Sequence, residues 1–309
     1  DAQESRGLGD VYKRQVYNRE DCISRCIESV AIQAEGVEHW IVNDGSTDAT
    51  LSIVRQFADK YPHIHLLTYE CNAGVGAARN AAIQKCTGDY ILFVDSDDYL
   101  AENAIAFIRT TIKESPSYLH YLFATNGRMP FYETYHLLEQ KQTVLTYFDW
   151  LRGKVGGDFV HVMNRGMLQK FPFNEELRIY EETNFLKLHR YSKEQLFTNQ
   201  IIVYTELNRQ DSVSLQYRLN NSRAIRLEYI ALQNIIYDFY DDYVAAGALA
   251  QIHERIRKYR FLAIAVNDYR DDELIPKNQL LQVFKILKLG YLMRMFIIIH
   301  SHIKYMFKK

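Results

Sequence analysis

Between Val37 and Val94 the chain alternates short apolar runs with helical periods, and no other feature restricts its fold so strongly. Val37–Asn43, His63–Tyr69 and Tyr90–Val94 read as strands, each bounded by turn residues. Thr47 or Asp48 is placed to cap a helix reaching about Lys60, and Gly74-Val-Gly76 opens an Ala-rich helix through Cys86. Ahead of them Asn18 is placed to cap a helix with apolar positions at Cys22, Ile23, Cys26, Ile27 and Val30. Strand and helix alternating at this spacing predict an α/β fold whose parallel sheet has right-handed crossovers. Ligands in such sheets sit beyond the carboxyl ends of the strands. Asp44, Asn72 and Asp95 all fall there.

The last of these strands runs directly into acid: Tyr90-Ile-Leu-Phe-Val-Asp95-Ser96-Asp97-Asp98. Crowded like charges are costly unless a cation neutralises them. Hard divalent ions such as Mg²⁺ and Mn²⁺ take carboxylate oxygens and keep positions for phosphate. A strand ending in Asp-x-Asp therefore reads as a metal–diphosphate site, the plainer alternative being a solvated Asp-rich turn.

Composition narrows the class further. With 37 Lys and Arg against 38 Asp and Glu, the chain shows no field suited to nucleic acid. Its 309 residues fit one large domain, or one domain with an appendage. Cys22 and Cys26 stand one helical turn apart and, with Cys71 and Cys86, form no CxxC pair. That pattern predicts packed thiols and a reduced, cytoplasmic setting. No charged-then-apolar leader opens the chain, and no apolar run approaches the length of a membrane span.

Beyond the acidic turn, Ala101–Glu114 reads as a helix and Tyr118–Ala124 as a strand. Thr146–Arg152 fits a short helix, Phe159–Met163 a strand, and Glu181-Glu182 leads a helix through His189. Ile201–Thr205 is a late strand, and after about Tyr217 the pattern turns helical. One face there carries Ile225, Tyr229, Leu232, Ile236 and Phe239, another Ile252, Ile256, Tyr259 and Ala263.

Four motifs occur in order: Val16-Tyr17-Asn18, Asn43-Asp44-Gly-Ser-Thr-Asp48, Asn72-Ala-Gly74-Val-Gly76-Ala-Ala-Arg79-Asn80 and Val94-Asp95-Ser96-Asp97-Asp98. Together they resemble the family 2 glycosyltransferases, inverting enzymes of the GT-A fold, over roughly residues 16–215. The resemblance implies a mixed, mostly parallel sheet flanked by helices, with residues 216–309 as a helical C-terminal extension. It implies transfer of a sugar from a nucleotide sugar, typically a UDP-sugar, to a hydroxyl of a glycan or lipid-linked glycan. Val16, Tyr17 and Asn18 would then line the base and ribose, and Asp44 would accept a hydrogen bond from the base. Asn72, Gly74 and Ser96 would border the donor, Asp95 would hold the ribose, and Asp97 would ligate Mn²⁺ or Mg²⁺ at the diphosphate. Arg79 would contact a carboxylate or phosphate, or serve as a structural ion pair. The general base would come from the acidic pair, with Glu182 in the role and Glu181 before it.

The chain departs from the family pattern in two places. The acidic pair is usually Glu-Asp, and Glu182 adds a methylene. The family also opens on an apolar strand ending in Pro, where this chain has Val11-Tyr-Lys-Arg-Gln15 and begins with Asp. Residues 1–15 are therefore expected to be a non-native or disordered leader, leaving the sheet without its middle strand. That expectation and Glu182 keep a catalytically impaired, nucleotide-sugar-binding relic as one alternative. A sugar-1-phosphate nucleotidylyltransferase is another, though Tyr17-Asn18-Arg19-Glu20 stands where its Gly-rich loop would be.

Two regions stay open on sequence alone. Phe131, Tyr132, Tyr135, Tyr147, Phe148 and Trp150 fall in the stretch expected to bind the acceptor, and suit sugar stacking and core packing equally. His161 reads as structural. Residues 282–309 combine Lys285, Lys288, Arg294, Lys304, Lys308 and Lys309 with many apolar residues and no acid. They fit a helix lying on an anionic membrane surface, at its inner face, or a final helix packed on the protein.

Overall fold

The computed structural model describes residues 10–33, 35–178, 180–206, 222–266 and 268, with side chains from Val16 onward. The chain divides into two compact units at Leu207 and Asn208.

The first unit is built on one sheet. Its leading half holds β1 (Asp10–Val16), β2 (Val37–Asp44), β3 (Ile64–Tyr69) and β4 (Tyr90–Phe93), in the order β3-β2-β1-β4 and all parallel. Helices α1 (Ile23–Ala31), α2 (Thr50–Lys60) and α3 (Val75–Lys85) make the crossovers. Each packs a short apolar set against the sheet: Ile23, Cys26 and Ile27 of α1 meet Val16, Ile41, Val54 and Ile64. Ala78 and Ala82 of α3 lie against Val42, where the small side chains let helix and strand approach.

The trailing half is mixed. From β4 the sheet continues through β8 (Val160–Asn164), β6 (His120–Thr125) and β9 (Glu194–Tyr204) to the two-residue β5 (Tyr99–Leu100). A further strand, β7 (Gln142–Thr146), pairs antiparallel with β9. Strand β8 runs antiparallel to both β4 and β6, so β6 points the same way as β4. The carboxyl ends of β1, β2, β4 and β6 thus share one edge of the sheet. Helix α4 (Ala104–Glu114) covers one face through Ile105, Ile108 and Ile112. Shorter helices α5 (Met129–Thr134), α6 (Tyr147–Leu151) and α7 (Arg165–Lys170) precede α8 (Glu182–Ser192).

The expected loss of the middle strand is corrected by this arrangement. Residues 10–15, placed outside the fold on sequence, form β1 between β2 and β4; Lys13 stands opposite Trp40 on one side and Phe93 on the other. A central parallel strand is secured by backbone groups on both edges, and Val11, Tyr12 and Val16 favour the extended form without a continuous apolar run.

In the second unit, α9 (Ser222–Ala245) and α10 (Leu249–Ala265) are joined across Gly247, whose φ of 67° makes the tight reversal. The two expected apolar faces are buried except at Ala263. The Tyr229 and Tyr259 rings stack at 4.9 Å, and the Tyr229 hydroxyl donates to Asp268 at 2.8 Å. Among the described residues no helix is long and apolar enough to cross a membrane. The basic segment 282–309 lies outside the described residues.

If β1 is the central strand, a proline within it removes a ladder hydrogen bond the sheet cannot replace. Lys13→Pro should lower the melting temperature well beyond the roughly 2–4 °C that 1 kcal/mol causes in a domain of this size. An unchanged melting curve would show that β1 is dispensable.

Candidate active site

Strand order reverses at β1: β2 and β3 lie on one side and β4 on the other. Such a reversal opens a crevice at the carboxyl ends of the strands that flank it. Here those ends are Val16-Tyr17-Asn18 after β1 and Val94-Asp95 after β4.

Val16 is fully buried, and the chain surfaces at Tyr17, which is 41% exposed. Asn18 does not cap α1, which begins at Ile23 after Cys22. Asn18 instead adopts a left-handed φ of 50° and clamps the neighbouring loop. Its N–H donates to Ser46 Oγ at 3.1 Å, and its Oδ1 accepts from the Thr47 N–H at 2.9 Å. The Arg19 N–H donates to Thr50 Oγ1 at 2.7 Å, so the segment after β1 is tied to the one that follows β2.

Asp44 is placed under the third loop. It is fully buried at the end of β2, where Oδ1 accepts from the Ala73 N–H at 2.7 Å and Oδ2 from the Gly74 N–H at 2.9 Å. That geometry makes Asp44 the fastener of residues 72–74. Gly45 permits it: a Cβ there would stand 3.0 Å from the Cys71 and Asn72 backbone. Asn72 Oδ1 accepts from Arg178 Nη1 at 3.2 Å, and the Arg178 side chain lies over Gly74. Arg178 carried no signal in the sequence, since it belongs to none of the motifs.

The acidic turn after β4 is held from below. Asp95 is exposed, while Ser96, Asp97 and Asp98 are half-buried. The Asp98 N–H donates to the Asp95 carbonyl at 3.0 Å and closes the turn. Its outward carbonyls rest on α1: Cys22 Sγ lies 3.6 Å from the Ser96 oxygen, and Cys26 Sγ contacts the Asp95 oxygen at 3.5 Å and that of Asp98. The paired thiols expected one turn apart are thus weak donors to this turn. The turn's backbone oxygens face these thiols, and the carboxylates supply hard oxygen donors of the kind Mg²⁺ and Mn²⁺ take. Among the described residues no three acids, histidines or cysteines converge as a metal cage. An ion shared between one or two carboxylates and a diphosphate requires none.

The acidic pair reaches the same place through Arg79. Arg79, on α3, forms an ion pair with Glu181, the residue before α8. Its guanidinium lies against two aromatic rings set at right angles to each other, 5.3 Å from Phe93 and 5.0 Å from Phe173. Burial works against the Arg79 charge, but Glu181 and then Asp95 outweigh it, and the pKa is raised. The ion pair, one of the two roles open to Arg79, is present here. Glu182, at the first position of α8, stays exposed. Asn80 supports the junction: its side chain donates to the Phe173 carbonyl at 2.9 Å and accepts from the Phe173 N–H at 2.9 Å. Asn184 does the same for the adjoining residues, bonding the Asn174 N–H at 3.0 Å and the Pro172 carbonyl at 2.6 Å.

The aromatics left open on sequence now separate. Tyr132 and Tyr147 are core, and Trp150 stacks on His189 at 4.3 Å. Phe131 and Phe148 are 44% and 37% exposed. Phe131 follows β6 at the edge of the sheet where β4 also ends.

Arg79 and Glu181 are both largely shielded, so removing one leaves the other charge poorly solvated. Arg79→Met should destabilise the first unit by roughly 2–3 kcal/mol, and Arg79→Met/Glu181→Met should recover part of that. Denaturant unfolding of the four members of the cycle checks it; additive effects would mean the pair is not coupled.

The sequence profile of glycosyl transferase family 2 matches residues 15–170, about half of the chain. The Escherichia coli protein described as uncharacterized glycosyltransferase YibD is 30% identical over 236 residues, which are 72% of this chain and 64% of that relative. The poly(ribitol-phosphate) beta-glucosyltransferase of Bacillus spizizenii is 42% identical over 37% of this chain and 19% of its own length. This chain therefore spans less than two thirds of either relative. The GalNAc(5)-diNAcBac-PP-undecaprenol beta-1,3-glucosyltransferase of Campylobacter jejuni is 25% identical over 71% of each chain. Among solved structures, residues 1–349 of S. aureus TarS in complex with UDP-GlcNAc match with a TM-score of 0.66 at 17% identity, over 95% of this chain and 89% of that one. The mannosyltransferase PcManGT from Pyrobaculum calidifontis, in complex with GDP-Man and Mn²⁺, matches at 0.56 and 13%, over 97% and 87%. At such identities these structures speak to fold alone. With the crevice at β1 and β4, the acidic turn and the profile in agreement, the chain belongs to glycosyl transferase family 2 and has the GT-A fold.

Proposed function

We propose that this protein transfers a sugar from a UDP-sugar to an acceptor hydroxyl with inversion, in the synthesis of a surface polysaccharide or lipid-linked glycan. The observation that carries the reading is the division of labour around Arg79. The guanidinium has Glu181 as its ion-pair partner and also feels the Asp95 charge, so one cation links the acidic pair to the acidic turn electrostatically. Glu181 is engaged in that contact, and the exposed Glu182 beside it would accept the proton of the incoming hydroxyl.

The remaining residues have roles that fit a nucleoside diphosphate. Tyr17 offers an exposed ring at the mouth of the crevice for the base, with Val16 and Asn18 fixing the loop that carries it. Asp44 acts from beneath, holding the Asn72–Gly74 loop whose surface the donor would border. Asp95 is exposed and would hold the ribose, with Ser96 next to it, and Asp97 would hold the divalent ion. When bound, that ion supplies neutralisation of the charge that builds on the leaving diphosphate. UDP is the nucleotide of the proposal because the four motifs resemble those of enzymes that typically use UDP-sugars; TarS, which shares the fold, was solved in complex with UDP-GlcNAc. A lipid-linked acceptor is supported by the name of the Campylobacter jejuni relative.

Transfer or hydrolysis of a panel of radiolabelled nucleotide sugars, with Mn²⁺ and with chelator, tests the whole reading. Turnover confined to a metal-supplemented UDP-sugar supports it; binding without any turnover would return the relic alternative.

Two substitutions separate the roles. Glu182→Gln should keep UDP affinity near wild type and reduce turnover by on the order of a hundredfold or more, the scale of general-base catalysis. Asp97→Ala should abolish the Mn²⁺-dependent part of donor binding, and Ser96→Ala should leave it. Equal loss of turnover in Glu181→Gln and Glu182→Gln at unchanged stability would break the proposed division.

A further inference from the structure

Helix α8 is seated on a cluster of three imidazoles that the transfer reaction does not use. His120 on β6 and His161 on β8 bring Nε2 and Nδ1 to 2.9 Å. His189, two turns along α8 from Glu182, stacks on His120 with centroids 5.2 Å apart and planes 9° apart. The other face of His189 is covered by Trp150 at 4.3 Å. Phe185, one turn nearer the start of α8, closes against His161 at 4.6 Å and reaches Phe173, which touches Arg79. A continuous line of rings therefore runs from the Arg79–Glu181 pair to the middle of α8.

This seat tolerates one protonation state. Two imidazoles 2.9 Å apart share a single hydrogen, one ring donating and the other accepting; with both rings charged, two N–H groups would face each other. His120 Nδ1 and His189 Nδ1 are buried with no hydrogen-bond partner, so an added proton there would have no acceptor. Among the described residues the groups facing the rings offer no compensating negative charge: the Trp150 indole, the Gln195 amide, whose hydrogen bond to His189 favours the charged ring but is outweighed by burial, the Phe159 and Phe185 rings, and the Arg79 guanidinium, which has the same sign as a protonated histidine.

We infer that His120, His161 and His189 are positioning residues forming an acid-sensitive latch, which docks α8 and so sets the acidic pair at its start only while all three rings are neutral. Burial pushes His120 and His161 well below the ordinary histidine range, with His161 and His189 adding to the effect on His120, and His189 and Arg79 to that on His161. Burial takes His189 down to about 3, against an unperturbed value of about 6.5. The sign follows from linkage. Above about pH 6.5 docked and undocked helix bind equally few protons, and the latch is fully held. Below it the undocked form takes up protons that the docked form refuses, so docking weakens as pH falls. Each histidine contributes up to tenfold per pH unit, and three contribute up to a thousandfold.

The effect on transfer rests on the reading of Glu182 as the base; the latch itself does not. Hydrogen exchange of the α8 amides from about pH 7.5 to 5, corrected for intrinsic rates, is the test. It is paired with Trp150 emission in a Trp40→Phe background, which leaves Trp150 as the only indole. The α8 opening constant should rise a hundredfold to a thousandfold per pH unit below about 6, with Trp150 emission changing in step, while α4 amides stay protected. His161→Gln, which cannot titrate, should reduce the slope by about one decade. A slope of tenfold or less per unit in wild type, or α4 opening together with α8, would overturn the latch whether or not the variant folds. A steep slope with full turnover in Glu182→Gln would leave the latch standing and remove the base assignment.

Discussion

The ion pair between Arg79 and Glu181 is the contact on which the rest of the site depends. It joins α3, which belongs to the parallel half of the sheet, to the start of α8, which lies over the mixed half. A charge this deeply placed is tolerable only with a partner in good geometry, and here two phenylalanine rings complete the enclosure. Asn80 and Asn184 act alongside it, fixing residues 172–175 by backbone hydrogen bonds on both sides. The result is a bracket between the loops at the crevice and the residue proposed as the base. It also decides which acid of the pair is engaged and which is exposed.

The donor side is organised by a similar economy of anchors. Asp44 spends its carboxylate on the Ala73 and Gly74 amides, and Asn18 spends its side chain on Thr47. Both residues shape the loops around the crevice through these bonds. The acidic turn is stabilised through its carbonyls by Cys22 and Cys26, with Asp95 exposed above. Like charges at such a turn repel weakly in water and strongly once a bound donor excludes it. A cation arriving with the donor would relieve that repulsion at the moment it grows.

Much of this was legible in the sequence, for stated physical reasons. β2, β3 and β4 announce themselves because their apolar runs end in turn residues, and strand ends are where Asp44 and Asp95 had to lie. β1 was missed because a central strand is held by backbone pairing, and Val-Tyr-Lys-Arg-Gln-Val carries little apolar pattern. The two-residue β5 is too short for any periodicity, and it exists through pairing of Tyr99 and Leu100 with the end of β9. Asn18 was read as a helix cap because Asn favours that position, but its left-handed backbone serves a loop contact. Arg178 and the Arg79–Glu181 pair were invisible for another reason: both are contacts between residues far apart in the chain. A sequence names candidates for ion pairing and leaves the choice to the fold.

The central claim is that a nucleoside diphosphate and a divalent ion are bound together at the carboxyl ends of β1 and β4. Calorimetric titration of the wild-type protein with UDP, in Mn²⁺ and again in chelator, tests it most directly, with GDP as the comparison. The account predicts saturable, one-site UDP binding in Mn²⁺ that is tighter than GDP binding and weakens strongly when the metal is removed. UDP binding of equal strength with and without metal, or no UDP binding at all, would contradict it.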